Sequence, residues 1–261
     1  MLKKTYYYRN LIWSFVVRDL QGRYAGSAMG LFWSLINPII ALLLYLYVFS
    51  VILKVKFGQN GSLSDFALYL FCGMLPWLAF QETIIRSTNS IVENANLIKK
   101  FIFPSKIFPV YLSISSLVNE LIGLAVLIIA IILITHKINY FILFLPLIII
   151  FQLIFTMGLG WIVACINVFF RDIAHLMGMI MMTWMFLTPI FYPESMVPEK
   201  FQFFIKLNPM AYLVRAYRDI LLSNRFPSIT DILTFIAISI IVFFGGYYLF
   251  GKTQPKFSDV V

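Results

Sequence analysis

Residues 110–134 read VYLSISSLVNELIGLAVLIIAIILI, and Glu120 is the one charged residue in this stretch. About 18 or more largely uncharged residues are typical of a bilayer-spanning helix, because lipid offers the backbone no hydrogen-bond partner outside the helix. The stretch therefore predicts a transmembrane helix. An ionisable group near the bilayer centre costs about 2.5 kcal/mol or more, so Glu120 should face protein or water. Both a structural hydrogen-bonding role and a role in a transport pathway remain open for it.

Five further apolar runs lie around this one. The chain is 61% hydrophobic and 12% charged, whereas soluble domains are roughly 45–50% apolar and about 25% charged. There is too little polar surface here to coat a water-soluble domain. The predicted fold class is an all-α polytopic membrane protein with six spans, at about residues 31–53, 66–85, 110–134, 141–169, 173–192 and 232–250.

Residues 1–30 predict an amphipathic helix that lies in the membrane plane. On a helical wheel Ile12, Trp13, Val16 and Leu20 fall within one sector, and basic residues are spread over the rest. The short apolar run has no cleavage pattern, which argues against a secretory leader. A disordered basic tail is the weaker alternative, because it would leave the apolar sector in water.

Residues 86–109 form the second basic segment. Ile91, Ala95 and Ile98 recur at helical spacing and two prolines close the segment, which predicts a short amphipathic helix outside the bilayer. Just before it, Glu82 and Arg86 are four residues apart, so they should form an ion pair on one helix face near the end of the second span.

A loop of about forty residues separates the last two spans. Asn208 is a good helix cap and Pro209 suits the first helical position, so a helix is predicted over 209–223. That helix is too short to cross a bilayer, and it is expected either on the surface or as a re-entrant segment packed against protein. Its predicted apolar face consists of Met210, Leu213, Val214, Tyr217 and Leu221, and its polar face carries Arg215, Arg218 and Asp219.

The basic residues indicate the orientation. Segments on the side of the termini hold 12 Lys and Arg, whereas the other side holds 8, of which 5 lie in the loop 192–231. Lys and Arg near spans accumulate on the cytoplasmic side, so both termini are expected in the cytoplasm.

Several kinds of chemistry lack their usual residues. The net charge of +9 lies mostly between apolar runs and suits anionic lipid headgroups better than nucleic acid. The sequence contains no G-x-x-x-x-G-K-[ST] phosphate loop, and no catalytic set or cofactor site is predicted. His136 and His175 lie at span ends without partners at metal-ligand spacing, so no metal site is predicted. Cys72 and Cys165 are expected to be inert buried thiols.

Aromatic residues make up 18% of the chain, more than interfacial belts require. Aromatic rings stack on the apolar faces of sugars, so an aromatic-lined channel for carbohydrate is one hypothesis, and ordinary packing is the other. The candidate channel residues are Trp33, Tyr45, Trp77, Phe80, Trp161, Phe169, Trp184, Phe186 and Tyr192.

Six short motifs follow one another along almost the whole chain. They are RDLQGRYAGSAMGLFWSLINP at 18–38, GMLPW at 73–77, NANLIKK at 94–100, NVFFRDI at 167–173, TPIFY at 188–192 and NP at 208–209. In this order they resemble the ABC-2 polysaccharide-export permeases of the Wzm type, also described as the type V exporter fold.

The resemblance implies a homodimer of this subunit with two separate ABC ATPase subunits, which bind the ATP and Mg²⁺. The implied substrate is a polysaccharide such as O antigen on an undecaprenyl-pyrophosphate carrier, exported across the bacterial inner membrane. It further implies a cytoplasmic interface helix at 1–30 and a transmembrane domain at 31–261. Within that domain lie a coupling segment at 86–109 and, at 193–231, an outer gate loop with short re-entrant helices.

The resemblance also assigns roles to residues. Contacts to the ATPases are expected from Arg18, Asp19, Arg23, Tyr24, Asn94, Asn96, Leu97, Lys99, Lys100 and Phe101. The lipid pyrophosphate is expected near Arg18, Arg23, Lys99, Lys100 and Arg171, although positive charge on the cytoplasmic side explains these residues equally well. The outer gate is expected at Asn208, Pro209, Tyr212, Arg215 and Arg218.

Other functions stay open at this point. A teichoic-acid or capsule exporter shares these motifs. A membrane enzyme acting on lipid-linked sugars would explain the spans and the aromatic residues, but it would usually cluster acids or histidines at one membrane face. A secondary transporter usually shows repeat symmetry and paired acids, which Glu82 and Glu120 do not form.

Overall fold

The computed structural model describes residues 8–23, 26, 29–52, 63–100, 104–136 and 139–260, and the regular elements within them are all helical. We number the α-helices in chain order. They are α1 Arg9–Gly22, α2 Trp33–Tyr45, α3 Leu63–Glu93, α4 Ala95–Lys100, α5 Ile107–Thr135, α6 Leu145–Phe169, α7 Asp172–Leu187, α8 Gln202–Leu207, α9 Pro209–Leu221, α10 Ile229–Thr253 and α11 Phe257–Val260.

Within the described residues, four helical segments are long and apolar enough to cross a membrane: Asp65–Glu93, Ile107–Thr135, Tyr140–Phe169 and Ile229–Lys256. They confirm a helical, multi-pass membrane fold. The helices α2 and α7 are apolar but shorter. At 1.5 Å per residue, α7 is about 24 Å long, which is less than the roughly 30 Å of a hydrocarbon core. A wider helical turn at Leu46–Ile52 extends α2. The count of six spans stays a prediction.

The second span is longer than its apolar run. It was predicted to end near residue 85, but α3 continues through the first eight residues of the predicted coupling segment, to Glu93. Hydroxyl groups explain the extension, because Thr88 donates to the carbonyl of Ile84 at 2.8 Å and Ser90 to that of Ser87 at 2.7 Å. A hydroxyl group that donates to a carbonyl of its own helix has its hydrogen-bond partner there, so it can be buried while the helix continues.

Helix α3 forms the centre of the bundle, where it packs against α5, α6, α7 and α9. Phe71, Trp77, Phe80 and Ile84 along it are fully or almost fully buried. Phe71 and Phe80 are nine residues apart and so lie on opposite sides of the helix, which suits a position surrounded by other helices. The remaining spans are therefore organised around α3.

Helices α6 and α10 approach each other closely at two glycines. A Cβ atom on Gly246 would lie 2.2 Å from the carbonyl oxygen of Gly158, and one on Gly158 would lie 2.6 Å from the backbone of Phe243. Small residues allow helix backbones to approach in a membrane, where close van der Waals packing drives association. These glycines fix how the last span joins the bundle.

We expect Gly246→Ala to destabilise the protein by about 1–3 kcal/mol, because the methyl group would overlap backbone that cannot turn aside. The matched control is Gly245→Ala, since a Cβ atom there meets open space. The control should leave stability unchanged or raise it slightly. Thermal unfolding of both variants in detergent tests the prediction, and equal melting temperatures would contradict it.

Candidate functional site

Helix α1 lies against the start of α5. Ile12 and Val16 pack on Ile107, and the ring of Phe15 stacks on that of Tyr111 with 5.2 Å between centroids. The buried face is therefore formed by residues 12, 15 and 16. Trp13 was expected in this face, but it is 62% exposed. Position 13 is about 100° from position 12 on the wheel, and Phe15 fills the space next to Val16 instead.

A cluster of charges joins α1 to α3 and α5. Arg23 binds Asp19 at 3.1 Å and Glu82 at 2.5 Å, and Arg86 binds Glu82 at 3.1 Å and also Asp19. Ser115 on α5 donates to Asp19 at 2.5 Å and accepts from Arg23 at 3.0 Å. We call these five residues the charge cluster. The predicted Glu82–Arg86 pair is confirmed, and it is one part of this larger cluster.

Asp19 is the centre of the charge cluster. Burial alone raises the pKa of Asp19, but hydrogen bonds from Arg86 and Ser115, together with the charges of Arg86 and Arg23, outweigh it and lower the pKa below its ordinary value. A carboxyl group with a lowered folded-state pKa stabilises the fold at neutral pH, and this contribution is lost as the pH falls through that value. The charge cluster therefore holds α1 against two spans at neutral pH.

At the charge cluster is a cavity of about 420 Å³, whose walls include Arg18, Arg23 and Arg86 together with the carboxylate of Asp19. The guanidinium of Arg18 lies over the ring of Phe15, 4.6 Å from its centroid. Arg23 directs its donors to Asp19, Glu82 and Ser115. Of these arginines, only Arg18 lies outside the charge cluster.

The part of the predicted coupling segment that begins at Asn94 follows directly after α3. Asn94 makes the turn and donates to the carbonyl of Ser90 at 2.8 Å, and α4 then presents Asn96 and Lys99 to the outside, with Leu97 partly buried. Arg171 is exposed at the junction of α6 and α7. Tyr24, Phe101 and the side chain of Lys100 lie outside the part of the chain that is described.

The C-terminal helix α11 supports this segment, because it packs against α4. Phe257 is fully buried, and its ring lies 5.2 Å from that of Phe250 and 6.4 Å from that of Phe169. Phe15 on α1 belongs to the same apolar cluster. Helices α1, α4 and α11 therefore lie at one end of the bundle, which we call the α1 end.

At the opposite end Asn208 joins the start of α9 to the end of α7. Its side-chain oxygen accepts from the backbone N–H of Met210 at 3.0 Å and from the indole N–H of Trp184 at 2.8 Å. Its amide nitrogen donates to the hydroxyl of Thr188 at 2.8 Å. The predicted cap is confirmed, with Pro209 in the first helical position.

Helix α9 is buried on nearly all sides. All five residues of its predicted apolar face are buried, as expected. Arg218 and Asp219, on the predicted polar face, are only 7% and 5% exposed, so of the two predicted arrangements the structure favours a helix packed against protein. The helix packs against α3, α6 and α10, so it does not lie on the surface. Tyr217 reaches Glu120, which is near the middle of α5.

Arg218 is buried without a carboxylate partner among the described residues. Its guanidinium donates to the carbonyls of Pro189 at 2.6 Å and Ile190 at 2.8 Å, and it lies 3.4 Å from the centroid of the Tyr69 ring. A Cβ atom on Gly73 would lie 2.9 Å from this guanidinium. The GMLPW motif thus leaves room for Arg218, and the TPIFY motif binds it.

The other predicted gate residues, Tyr212 and Arg215, lie on α9 and bind residues elsewhere in the loop. Arg215 forms ion pairs with Glu194 at 3.0 Å and with Asp231, so it ties α9 to both flanks of the loop. The hydroxyl of Tyr212 donates to the carbonyl of Lys206 at 2.5 Å. Both contacts shape the loop around α9.

The candidate channel residues divide by burial. Trp77, Phe80 and Trp161 are at most 3% exposed and contact other aromatic rings, so in this structure they are packing residues. Phe169 and Phe186 are 40% and 53% exposed. The remaining four candidates are partly buried, and they are Trp33, Tyr45, Trp184 and Tyr192.

The sequence can also be compared with those of known proteins. The sequence matches the ABC-2 type transporter family over residues 10–222. This chain belongs to that family. It is similar to the O-antigen export system permease protein RfbA of Myxococcus xanthus, with 28% identity over 100% of this chain and 99% of the relative. A protein of the same name from Klebsiella pneumoniae is 29% identical over 94% of this chain and 92% of the relative. The polysialic acid transport protein KpsM of Escherichia coli is 23% identical over 78% of each.

The resemblance stated from the motifs is confirmed at the level of the ABC-2 family. Sequence reasoning did not single out the partners that complete each contact. Ser115 and Thr188 bind Asp19 and Asn208, and Gln152 binds Glu120. Only the polarity of Gln152 within a predicted span could have drawn attention to it, because the two hydroxyl residues are ordinary in spans.

We expect Asp19→Asn to destabilise this ABC-2 chain by about 1–3 kcal/mol, the scale of hydrogen bonds to charged groups. Thermal unfolding in detergent measures the effect. The difference in stability between the unmodified chain and the variant should disappear in acid. The pKa of Asp19 is lowered in the folded state, so its carboxylate stops contributing to stability once it is protonated. Glu93→Gln is the matched control, as Glu93 is exposed on α3 and no ion pair is described for it. Equal effects of both substitutions would contradict the prediction.

We expect Asn208→Ala to cost about 2–4 kcal/mol, because it removes a helix cap and leaves the indole N–H of Trp184 without its partner. Thr188→Val keeps the helix cap and the contact between Asn208 and Trp184. It removes only the two hydrogen bonds of the Thr188 hydroxyl, with Asn208 and with the carbonyl of Trp184, and should cost about 1–2 kcal/mol. Chemical unfolding of the two variants side by side gives the comparison. A loss in Asn208→Ala no larger than in Thr188→Val would contradict the prediction.

Proposed function

We propose that this chain is the non-catalytic transmembrane subunit of an ABC exporter of polysaccharide, working as a homodimer with two separate ATPase subunits. The observation that carries the proposal is the match, along essentially the whole chain, to permease proteins named for O-antigen export. The absence of a phosphate loop in the sequence fits an energy source on another chain.

The α1 end offers a surface on which an ATPase can act. Helix α1 is tied to α3 and α5 by the charge cluster, and α4 is a short, partly exposed helix directly after α3. A push on either helix therefore acts directly on α3, at the centre of the bundle. In our proposal this end faces the cytoplasm, in agreement with the bias of Lys and Arg, and the protein lies in the inner membrane with both termini inside.

The opposite end suits an outer gate. Helix α9 is too short to cross a bilayer, yet Tyr217 on it reaches the middle of α5. Backbone in the hydrocarbon region is tolerated where it is surrounded by protein, as α9 is here. We propose that the loop 193–231 is re-entrant and that α2 and α7 complete six spans.

The proposed cargo is an O-antigen-type polysaccharide on a polyprenyl-pyrophosphate lipid. The arginine-lined cavity at the α1 end, with Arg18 facing it, gives the pyrophosphate a cationic site near the membrane surface. Lys99 and Arg171 are exposed and could add to that charge. Aromatic residues with exposed rings, such as Phe169 and Phe186, could contact the sugar chain.

A capsule exporter is the second candidate within this class, favoured by the similarity to the polysialic acid transport protein. The lower identity and smaller coverage of that match place it behind O antigen. The enzyme and secondary-transporter hypotheses lose their basis, because membership of the ABC-2 family points to a subunit of an ATP-driven transporter.

The first test is to purify the tagged chain from native membranes in mild detergent and to identify the proteins that accompany it. We expect an ABC ATPase in equal amount. In proteoliposomes the complex should hydrolyse ATP faster when lipid-linked polysaccharide is added, and O-antigen and capsule lipids are compared directly. Recovery of the chain alone, under conditions that preserve other membrane complexes, would contradict the proposal.

A charge reversal tests the proposed docking segment. We expect Lys99→Glu to reduce the recovered ATPase by about tenfold or more, because a reversed charge within a docking surface costs several kcal/mol. The control is Lys200→Glu, an exposed lysine in the loop at the opposite end, which should leave recovery unchanged. Similar recovery with both variants would place the docking surface elsewhere.

A further inference from the structure

Glu120, Gln152 and Tyr217 form a closed ring of three short polar contacts inside the bundle. One carboxyl oxygen of Glu120 lies 2.7 Å from the amide nitrogen of Gln152, and the other lies 2.6 Å from the hydroxyl of Tyr217. That hydroxyl lies 2.7 Å from the amide oxygen of Gln152. The three side chains are at most 3% exposed and come from α5, α6 and α9.

The ring needs three protons, one for each contact. The hydroxyl of Tyr217 has one proton and can serve one contact. Gln152 faces the ring with its nitrogen at one contact and its oxygen at the other, so it also serves one contact. If the amide of Gln152 is flipped, a different contact of the ring lacks a proton, but one contact still lacks it. An ionised Glu120 would supply no proton, and two acceptor oxygens would face each other at hydrogen-bond distance.

We infer that Glu120 carries the third proton and acts as a neutral carboxylic acid that positions helix α9. It then donates to Tyr217, which donates to Gln152, which donates back to Glu120, and the ring closes. The role of α9 as a gate element rests on the proposed function, but the proton count does not.

The surroundings of the ring agree with a neutral acid. The nearest cation along α9 is Arg218, next to Tyr217 in sequence, and its guanidinium is bound to the carbonyls of Pro189 and Ile190. On α3 the ring meets the carbonyl of Pro76, 3.4 Å from the amide nitrogen of Gln152. A buried carboxylate without a cationic partner is costly, whereas a protonated carboxyl group with both oxygens bonded is not.

Glu120→Gln separates a neutral acid from an ionised one. A glutamine at this position permanently carries the N–H that the third contact needs, so the ring should close as before. Tyr217→Phe is the matched disruptive variant, because it removes the hydroxyl that makes two of the three contacts and leaves Glu120 and Gln152 bonded only to each other. Gln152→Leu opens the ring from the α6 side.

The position of α9 can be read with a cysteine reporter. Val214 is fully buried on α9, so Val214→Cys, in a chain whose Cys72 and Cys165 are alanine, should react slowly with a maleimide. We expect the same slow rate with Glu120→Gln. With Tyr217→Phe or Gln152→Leu we expect labelling at least about tenfold faster, since losing one buried hydrogen bond shifts the equilibrium by that order.

Infrared difference spectra give a second, independent readout. At neutral pH the spectrum of the full-length chain in nanodiscs, minus that of Glu120→Gln, should contain the C=O band of a hydrogen-bonded carboxylic acid. Tyr217→Phe should shift that band. A difference spectrum with carboxylate bands alone would overturn the inference, as would fast labelling or failure to fold in Glu120→Gln. All of these experiments use the isolated chain, so their outcome is separate from the search for an ATPase partner.

Discussion

A polar group inside an apolar bundle must find its partner within the chain, and this requirement places helix α9. Arg218 is buried on two carbonyls of the TPIFY motif and against the ring of Tyr69. Asn208 at the start of the same helix binds Trp184 and Thr188. Each of these groups would be costly if left unpaired. The contacts therefore fix where α9 enters the bundle. The position of α9 in turn determines the position of the loop that contains it.

The same requirement explains why motifs far apart in the sequence belong together. Gly73 in the GMLPW motif is a glycine because the guanidinium of Arg218 occupies the space where a Cβ atom would lie. Trp77 of that motif packs against Trp184, which in turn binds Asn208. Three motifs thus describe one site around α9. Their order along the chain points to a family, whereas only the folded structure shows that they meet.

The sequence predicts much of the fold and less of the sites. Long apolar runs predict the helices of the bundle, and the Asn208–Pro209 pair predicts the start of α9, because these are local features with local causes. The exposure of Trp13 and the burial of Arg218 depend on neighbours that are distant in sequence. The end of α3 has a local cause, hydroxyl groups bonded to their own helix, which a search for apolar runs misses. The Glu82–Arg86 pair shows the same division, since its spacing predicts the pair but not the contacts with Asp19 and Arg23.

The two ends of the bundle are joined by the same two helices. In α5, Ser115 belongs to the charge cluster and Glu120 binds Tyr217 of α9. These positions are five residues apart, about 7.5 Å along the helix axis. In α3, Glu82 and Arg86 belong to the charge cluster, whereas Gly73 lies against Arg218. A rigid shift of either helix at the α1 end must therefore displace a partner of α9 or break a buried hydrogen bond. A movement at the α1 end can therefore reach α9 directly, through packed and hydrogen-bonded groups of α3 and α5 and without the help of a loop.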